Sequence, residues 1–549
     1  RFEPTSARYA RFVVKGSTPQ HWHRIADLRI GDLPYRPTPQ AQWWTRRWDS
    51  GPPSEARVEA VALAYGDIAR AHLATLIARG TDRYGSVQAP IWVLNLDLDT
   101  LDCFPRYNDA LIEKAAIAVT YSSTAPYGVG HRAIRGSQRE SGCSNLYVDQ
   151  PTIRAALLNE ALTGGSASTP AVEAYVRWWF DNLLDDERGL LEWGVHTSYD
   201  VHADHLKHGD GYQHEVLGIL PMWPLLTRVE SERAPAYMER LWYWHTDPET
   251  GIVDRHATRG KGLDFAMAAG EVILASAVLH ARDVDGPWLD RALQVAHAHW
   301  DTRDPDTDLV VNTPHGGTGE RFDNLYSDTT VTGFWANRVL IAGRITGCEE
   351  LTEMARQTLR AWAMHGWDEE ARMPWASLRP DGTPNTKPRD YEGTTYDKFD
   401  PSGHWDLWKD YVYGFEAPFA TLMTYAAAAE WLDDPVLEAH AVRLGECYRA
   451  HLPANGRLGT FAANYGQLAS FFLAMGRITG DTSYRKTAKR VADEAVSHLW
   501  TGRMLRGFAG REHYTAIEGP GYLAQALLEL GADPTQLAEA QQDPFLWNF

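Results

Sequence analysis

The sequence predicts a mainly α fold in which helical hairpins repeat along the chain. Two segments share one punctuation: Gly343–Gly347 (GRITG) precedes Glu349, and Gly476–Gly480 (GRITG) precedes Asp481. In both, an Ala- and Leu-rich helix ends at a Gly that suits the left-handed residue closing a helix. The acidic residue that follows suits the N-terminus of the next helix. A single hairpin cannot bury its own apolar face, so the repetition implies hairpins that stack or close into a ring.

Composition and charge narrow the class of function. The chain has 549 residues, of which 44% are hydrophobic, and its formal net charge is -19. A nucleic-acid binder needs a basic face, which this charge argues against, whereas a locally basic cleft can still take an anionic substrate. No run of about 18 apolar residues occurs, so we expect no membrane span. The chain opens at Arg1 with no apolar leader, and we interpret it as processed or trimmed.

The spacing of the cysteines and the pattern of the glycines indicate which cofactors to expect. The four cysteines (Cys103, Cys143, Cys348 and Cys447) are widely spaced and form no CxxC pair. Buried thiols or one disulfide are therefore favoured over a metal site. A phosphate-cradling Gly-rich loop is absent, so we expect no nucleotide cofactor.

Residues 1–40 differ from the rest of the chain and are predicted to form a β-strand segment and linker. Residues 7–16 alternate in polarity like a strand, and residues 22–30 supply a second strand. This stretch resembles the final strands of a discoidin-type β-sandwich, a common carbohydrate-binding appendage. Pro34, Pro37 and Pro39 mark the linker. The helical part is predicted to extend over residues 41–549.

From about residue 40 the pattern is helical, with short Gly-, Pro- or Asp-containing loops inside each pair of helices. Single helices are predicted near 54–79, 107–121 and 515–530. The predicted hairpins pair 149–163 with 168–184, 212–227 with 232–245, 262–281 with 286–300, 324–345 with 349–365, 408–431 with 434–452, and 459–475 with 481–499.

The longer loops between pairs share an acidic turn after a Trp- or His-rich helix end. Its four copies are Asp185–Leu190, Asp247–Ile252, Asp304–Leu309 and Asp368–Arg372. The return of one turn at equivalent places supports a true repeat.

These features resemble the (α/α)-toroid, or six-hairpin, superfamily of carbohydrate-active enzymes, and the Thr479–Ala488 segment (TGD…Y…A) is typical of it. The resemblance covers roughly residues 50–535 and implies an (α/α)6 or (α/α)7 toroid. In such toroids inner helices line a ring, outer helices wrap it, and the loops entering the inner helices gather at one mouth. The superfamily hosts lyases, hydrolases and epimerases, so the resemblance alone does not assign the reaction.

The densest polar cluster spans residues 196–215, where His202 and His205 lie close to Asp204 and His208. Three interpretations remain open. In the first, His202 and His205 form part of a divalent-metal site. Alternatively, His214 with Tyr212 opens an inner helix as an acid/base group. Otherwise the segment is a hydrogen-bonded structural loop.

Other predicted inner helices also open with polar residues that we expect to face the mouth. We predict catalytic roles for His214, Tyr413, Tyr465, Asn464 and Glu518. We predict substrate-binding roles for Arg255, His256, Arg321, Asp328, Trp405, Trp408, Glu416 and Tyr514. The two tryptophans belong to a chain with 22 Trp and 24 Tyr, and aromatic faces of this kind stack on sugar rings.

Two mechanisms fit these residues, and the lyase is preferred. A polysaccharide lyase needs a base, often Tyr or His, and an Asn, His or Arg that neutralises a uronate carboxylate. An inverting glycoside hydrolase instead needs two carboxyl groups across the site, for which Glu215, Asp264 and Glu416 are among the candidates. A sugar epimerase and a non-catalytic glycan-binding protein are weaker alternatives. We expect a polysaccharide or oligosaccharide substrate, no resident cofactor apart from the metal alternative, and a secreted or cell-surface protein.

Overall fold

The computed structural model describes most of the chain from residue 64 onwards. The described residues are 29–30, 33–34, 64–103, 142–165, 167–194, 197–208, 214–215, 218–262, 264–315, 326–386, 403–405, 407–408, 417–452, 461–508 and 513–549. Contacts divide the chain into two units, Arg1–Val61 and Ala62–Phe549. In the first unit, β1 (Arg29–Ile30) pairs antiparallel with β2 (Leu33–Pro34). The predicted strand over residues 7–16 and the helix near 107–121 lie outside the described residues.

Within these ranges the second unit contains fifteen α-helices and short strands. The helices are α1 (Tyr65–Thr75), α2 (Gln150–Thr163), α3 (Thr169–Asn182), α4 (Trp223–Val229), α5 (Arg233–His245), α6 (Ala266–Ala281), α7 (Trp288–Trp300), α8 (Ala336–Thr346), α9 (Glu349–His365), α10 (Pro418–Trp431), α11 (Pro435–His451), α12 (Ala462–Thr479), α13 (Thr482–Leu499), α14 (Pro520–Gly531) and α15 (Pro534–Ala540). The strands are β3 (Asn95–Asp97), β4 (Cys143–Ser144), β5 (Thr197–Asp200), β6 (His205–His208), β7 (Ser327–Asp328), β8 (Trp367–Asp368), β9 (Met373–Pro374), β10 (Ser377–Leu378) and β11 (His513–Thr515).

The helices form a toroid of inner and outer helices, as the sequence predicts. Inner helices α10, α12, α14 and α2 pack side by side in that order, and α6 packs against α8, which is next to α10. Residues 218–222 connect α2 with α8 across the ring. Arg154 of α2 donates a hydrogen bond to the Leu220 carbonyl, and Arg338 of α8 donates one to the Gly218 carbonyl. The inner helices α2, α4, α6, α8, α10 and α12 are each followed by an outer partner, and α14 pairs with α1. The described residues therefore contain seven hairpins.

Composition separates the inner from the outer helices. Every residue of α6 from Ala266 to Leu279 is buried, and apart from Glu271 and Ser276 this stretch is apolar on all sides. Outer helix α9 buries one face, which includes Leu351, Met354 and Leu359, and presents charged residues on the other. An all-round apolar helix is stable only when neighbours cover every side, which the centre of the ring provides.

The acidic turns recur as one hydrogen-bonded motif, which confirms the predicted repeat. The first Asp of each turn accepts hydrogen bonds at Oδ1 from the backbone N–H groups two and three residues later. The fourth residue after each Asp has a positive φ: Gly189 (69°), Gly251 (76°), Asp308 (58°) and Arg372 (53°). A fifth copy, which the sequence analysis did not include, begins at Asp97. The carboxylate satisfies backbone donors that the tight turn exposes.

Most helix boundaries agree with the prediction, but several inner helices begin later than predicted. The helix predicted over 324–345 is α8, which begins at Ala336 after β7 and a short helical segment (Val331–Trp335). The helix predicted over 515–530 is α14, which begins at Pro520 after β11.

The helix predicted over 212–227 begins only at Trp223, and the described residues before it are not helical. Pro221 and Pro224 explain the difference, because proline lacks the N–H that a helix interior needs and is tolerated in the first turn. His214 and Glu215 therefore lie on non-helical backbone, as do residues 218–222.

The segment 541–549 packs inside the ring. Asn548 donates hydrogen bonds to Ser470 Oγ of α12 (2.9 Å) and to the Tyr522 carbonyl of α14 (3.0 Å). Arg154 of α2 donates to the Phe549 carbonyl (2.8 Å), and Trp547 is fully buried. The segment thus links three inner helices through hydrogen bonds.

The four cysteines are free thiols, of which three are buried. Of the two favoured readings, buried thiols are therefore the correct one. None of the described helices is long and apolar enough to cross a membrane.

Candidate functional site

A tight loop between α5 and α6 carries two of the predicted substrate-binding residues, Arg255 and His256. The loop folds around the carboxylate of Asp254, which is fully buried. This carboxylate accepts hydrogen bonds from the backbone N–H groups of His256 (2.8 Å), Thr258 (3.0 Å) and Gly260 (2.7 Å). Ala257, Arg259 and Gly260 have positive φ values, so the backbone turns sharply. The loop therefore holds Arg255 and His256 on a rigid support.

Glu215 joins these two side chains. Its Oε1 lies 3.3 Å from His256 Nε2 and 3.6 Å from Arg255 Nε. The side chain of Glu215 is 1% exposed, whereas those of Arg255 and His256 are 13% and 10% exposed. The guanidinium of Arg255 also lies over the ring of Phe265, 5.1 Å from its centroid. A buried carboxylate thus anchors two nitrogen groups that reach the mouth.

His214, a predicted catalytic residue, belongs to a buried hydrogen-bonded chain. Its Nε2 lies 2.9 Å from Tyr237 Oη, and its Nδ1 lies 2.9 Å from His245 Nε2. His245 Nδ1 contacts the Asp254 carbonyl at 2.6 Å. A carbonyl only accepts, so His245 carries its proton on Nδ1, His214 donates from Nδ1 to His245, and the Tyr237 hydroxyl donates to His214.

Burial favours the neutral form of both histidines in this chain. Desolvation lowers the pKa of His214 well below its usual value, and it also lowers the pKa of His245. Both ring nitrogens of His214 are engaged by protein groups. The arrangement supports the Asp254 loop and gives His214 no open nitrogen for a substrate.

A second polar group lies at the start of α6. Asp264 is 1% exposed, and its Oδ2 lies 2.7 Å from His315 Nδ1. Its Oδ1 lies 3.2 Å from Nε2 of His299, a residue of outer helix α7. Burial lowers the pKa of His299, which is fully enclosed, whereas the side chain of His315 is 29% exposed. Phe265, whose ring lies under the Arg255 guanidinium, is the residue that follows Asp264 in the chain.

The predicted residues on α12 and α14 are buried around the helix starts. Tyr465 is directed to the outer layer, where its hydroxyl donates to Glu494 of α13 (2.7 Å). Asn464 donates to the Trp408 carbonyl (3.1 Å). Glu518 is 1% exposed and packs on Gly507, and burial raises the pKa of Tyr514 well above its usual value.

Three predicted substrate-binding residues have structural surroundings instead. Asp328 is fully buried, and its Oδ1 accepts from the Thr330 N–H (2.9 Å) just before the short helical segment Val331–Trp335 that leads into α8. Trp405 and Trp408 are buried in the hydrophobic core, and Trp408 packs edge-on against Tyr448. Sugar stacking by these two rings stays a prediction. Arg321, Tyr413 and Glu416 lie outside the described residues.

The metal alternative at His202 and His205 finds no support in the described part of the chain. No group of three His, Cys, Asp or Glu side chains there is arranged to hold a metal ion. His205 Nδ1 contacts the Ala203 carbonyl, and the His202 ring packs on Tyr84. At the mouth, Glu215 Oε1 and His256 Nε2 have the separation of two ligands of one ion, and Asp264 directs its two oxygens to different histidines.

Sequence reasoning missed Asp254, His245, His299 and His315 as parts of this site. Two of them, His245 and His299, end outer helices immediately before an acidic turn. The sequence signal was the Trp- or His-rich ending of these helices. In the structure, side chains near the ends of outer helices contact the segments that precede inner helices. For example, Trp362 of α9 donates a hydrogen bond to Ser327 Oγ (2.7 Å), before α8.

Residues 133–260 match the family model of the periplasmic pectate lyases. The matched range includes Glu215, Arg255 and His256 and ends before Asp264. This match confirms the predicted enzyme class, a polysaccharide lyase. Comparison with curated protein sequences gave no match.

Similar solved structures are all remote in sequence. The unsaturated glucuronyl hydrolase of Bacillus sp. GL1 is 13% identical over 56% of this chain and 83% of its own, with a TM-score of 0.37. A family 76 glycoside hydrolase from a bovine Bacteroides thetaiotaomicron strain is 9% identical over 86% of this chain and 78% of its own (TM-score 0.46). A D-mannose isomerase is 9% identical over 86% and 99% (TM-score 0.46). At these values the likeness carries no information on the reaction.

Proposed function

We propose that the protein cleaves pectate, or a closely related uronate polymer, by β-elimination at the Glu215–Arg255–His256 cluster. The observation that carries the proposal is the pair of nitrogen side chains, Arg255 and His256, on a loop that a buried carboxylate makes rigid. The polymer substrate implies work outside the cytoplasm, as a secreted or cell-surface protein, and the matched family is named for periplasmic enzymes.

The chemistry requires two functions at the uronate. The proton at C5 lies alpha to a carboxylate, whose negative charge opposes removal of that proton. A cation bound to the carboxylate stabilises the negative charge that develops there, and a nitrogen base accepts the proton. The C5–H electron pair then forms the C4–C5 double bond as the C4–oxygen bond breaks. Arg255 and His256 lie side by side and supply these two functions between them.

The carboxylates at this part of the mouth argue for elimination over inverting hydrolysis. A hydrolase needs one carboxyl group as acid and another as base, both turned toward the sugar. Glu215 is instead enclosed by Arg255 and His256, and Asp264 is enclosed by His299 and His315. Each carboxylate serves as an anchor for nitrogen groups.

The test compares pectate, its methyl ester and a neutral polysaccharide, with ultraviolet absorbance and new reducing ends followed together. Elimination gives both signals in equal amounts, with the highest rate on pectate. New reducing ends without absorbance would mean hydrolysis and would refute the proposal.

Variants then locate the site. Replacing Arg255 with Gln is expected to lower kcat/KM on pectate by about 10²- to 10³-fold and to reduce the preference over the methyl ester. Arg255→Lys keeps the charge but loses the planar fork, so it separates charge from geometry. The matched control is Arg259→Gln on the same loop, because Arg259 is exposed and lies over the Tyr243 ring instead. Full activity in Arg255→Gln would move the site elsewhere.

A further inference from the structure

The Asp264–His315 pair stands beside the proposed site and has no role in the chemistry described so far. His315 Nδ1 lies 2.7 Å from Asp264 Oδ2, so the carboxylate accepts a hydrogen bond from this nitrogen. The other ring nitrogen, Nε2, is on the side of the imidazole directed away from Asp264. A carboxylate that holds one nitrogen of an imidazole fixes which nitrogen carries out proton transfer.

Exposure separates the two histidines that contact Asp264. His299 is fully buried and supports the carboxylate from outer helix α7. His315 is 29% exposed, although the carboxylate that it contacts is 1% exposed. A histidine that served only to pack the interior would be fully buried, as His299 is. The order His299, Asp264, His315 therefore leads from the protein interior to the solvent side.

The pair is connected to the cluster that carries the proposed function through the start of α6. The Asn312 carbonyl, three residues before His315, accepts from the Ala266 N–H (2.9 Å). The preceding residue, Phe265, lies under the Arg255 guanidinium, 5.1 Å from its ring centroid. The segments that carry His315 and Arg255 therefore both contact the start of α6, on different loops. In an elimination, the leaving oxygen departs from the carbon next to the one that loses its proton, so a separate proton donor is useful there.

We propose that His315 is the general acid of the elimination, which donates its Nε2 proton to the departing glycosidic oxygen, and that Asp264 is its positioning residue. The inference rests on the proposed function. As the C4–oxygen bond breaks, the oxygen takes the bond pair and the Nε2 proton, and the imidazolium becomes neutral imidazole. The C5 proton goes to the base at the Arg255 cluster, and solvent returns a proton to His315 between turnovers.

The experiment compares two substrates for each variant. One is pectate, and the other is a uronoside with 4-nitrophenolate as the C4 leaving group, which departs without help from an acid. For His315→Gln we expect kcat on pectate to fall about 10²- to 10³-fold with KM within about threefold, and less than about tenfold loss on the activated substrate. Asp264→Asn is expected to show the same pattern with a smaller loss.

A histidine with a comparable bonding pattern provides the control. His297 on α7 contacts Asp301 and Glu350 at 3.1 and 2.8 Å and is 39% exposed, outside the mouth. His297→Gln should keep wild-type rates on both substrates. Thermal unfolding of each variant shows whether its fold is intact, and His315→Asn gives a second replacement if the Gln variant is unstable.

The outcomes separate the two proposals. Equal losses of His315→Gln on both substrates, or no loss on pectate, would overturn the general-acid role while elimination by the wild type still stands. A wild type that forms no double bond would overturn both proposals.

Discussion

The carboxylate of Asp254 makes the loop that carries Arg255 and His256 rigid, and replacing it with Asn tests that dependence. One Asn atom keeps the acceptor role, and the other becomes a donor. The Oδ2 atom of Asp254 accepts from the Thr258 and Gly260 N–H groups at 3.0 and 2.7 Å. Asp254→Asn therefore removes two charge-assisted hydrogen bonds inside a fully buried turn.

The structure sets the size of the expected effect. Hydrogen bonds to a charged group contribute about 1.5 kcal/mol each at the low end of their range, so the loop loses about 3 kcal/mol of stabilisation. If activity requires the ordered loop, each 1.36 kcal/mol corresponds to a tenfold change, and kcat/KM on pectate falls by up to about 10²-fold. Urea unfolding followed by tryptophan fluorescence measures the stability, and the ultraviolet assay measures the rate.

Asp304→Asn is the control for removal of a carboxylate charge from a turn, because Asp304 accepts from the Asp306 and Thr307 N–H groups at the single atom Oδ1. Asn keeps an acceptor oxygen there, so this variant should lose less stability than Asp254→Asn and keep wild-type activity. If Asp254→Asn loses stability but keeps wild-type kcat/KM, the loop does not position the reacting groups, and the reasoning fails.

Three further predictions concern stability. Burial lowers the pKa of His440 to about 3, so the native state resists its protonation, and stability falls as pH drops below the ordinary value of about 6.5. His440→Phe should therefore gain about 1 kcal/mol on the wild type between pH 7.5 and 5.5, measured by urea unfolding at both values. An unchanged difference would contradict this. Gly251→Ala should lower the unfolding temperature clearly more than Gly347→Ala does. Both glycines have a positive φ, but an added Cβ would meet a backbone oxygen of α7 at 2.6 Å only at Gly251. Equal decreases in the unfolding temperature would be inconsistent with this packing. Tyr237→Phe removes the donor to His214 Nε2 and should cost about 1–3 kcal/mol in unfolding, and no change would show that the buried chain is not needed.

Sequence alone predicted the fold because local signals repeat. Gly347 and Gly480 close their helices with φ values of 69°, as the shared GRITG punctuation predicted. The acidic turns followed from an Asp at a fixed place after each outer helix. Such features depend on neighbours within a few residues, which a single sequence displays.

The site was predicted only in part, because it depends on partners distant in the chain. Arg255 and His256 lie on the loop before an inner helix, where polar groups were expected, although several inner helices begin later than predicted. The direction of a side chain is a different matter: Tyr465 turns outward to Glu494, which is 29 residues away in the sequence. His315 was missed because its partner Asp264 is 51 residues away, and the spacing carries no local pattern.

The segment 541–549 has a consequence for how a long polymer can be handled. Arg154 of α2 donates a hydrogen bond to this segment, and Asn548 donates to α12 and α14, so the segment is held inside the ring with Trp547 and Asn548 fully buried. A glycan chain therefore cannot be threaded through the toroid as through an open pore. It must lie across the mouth, and both fragments must depart from the side on which the polymer arrived. Repeated cleavage along one chain then requires the polymer to slide laterally over the mouth.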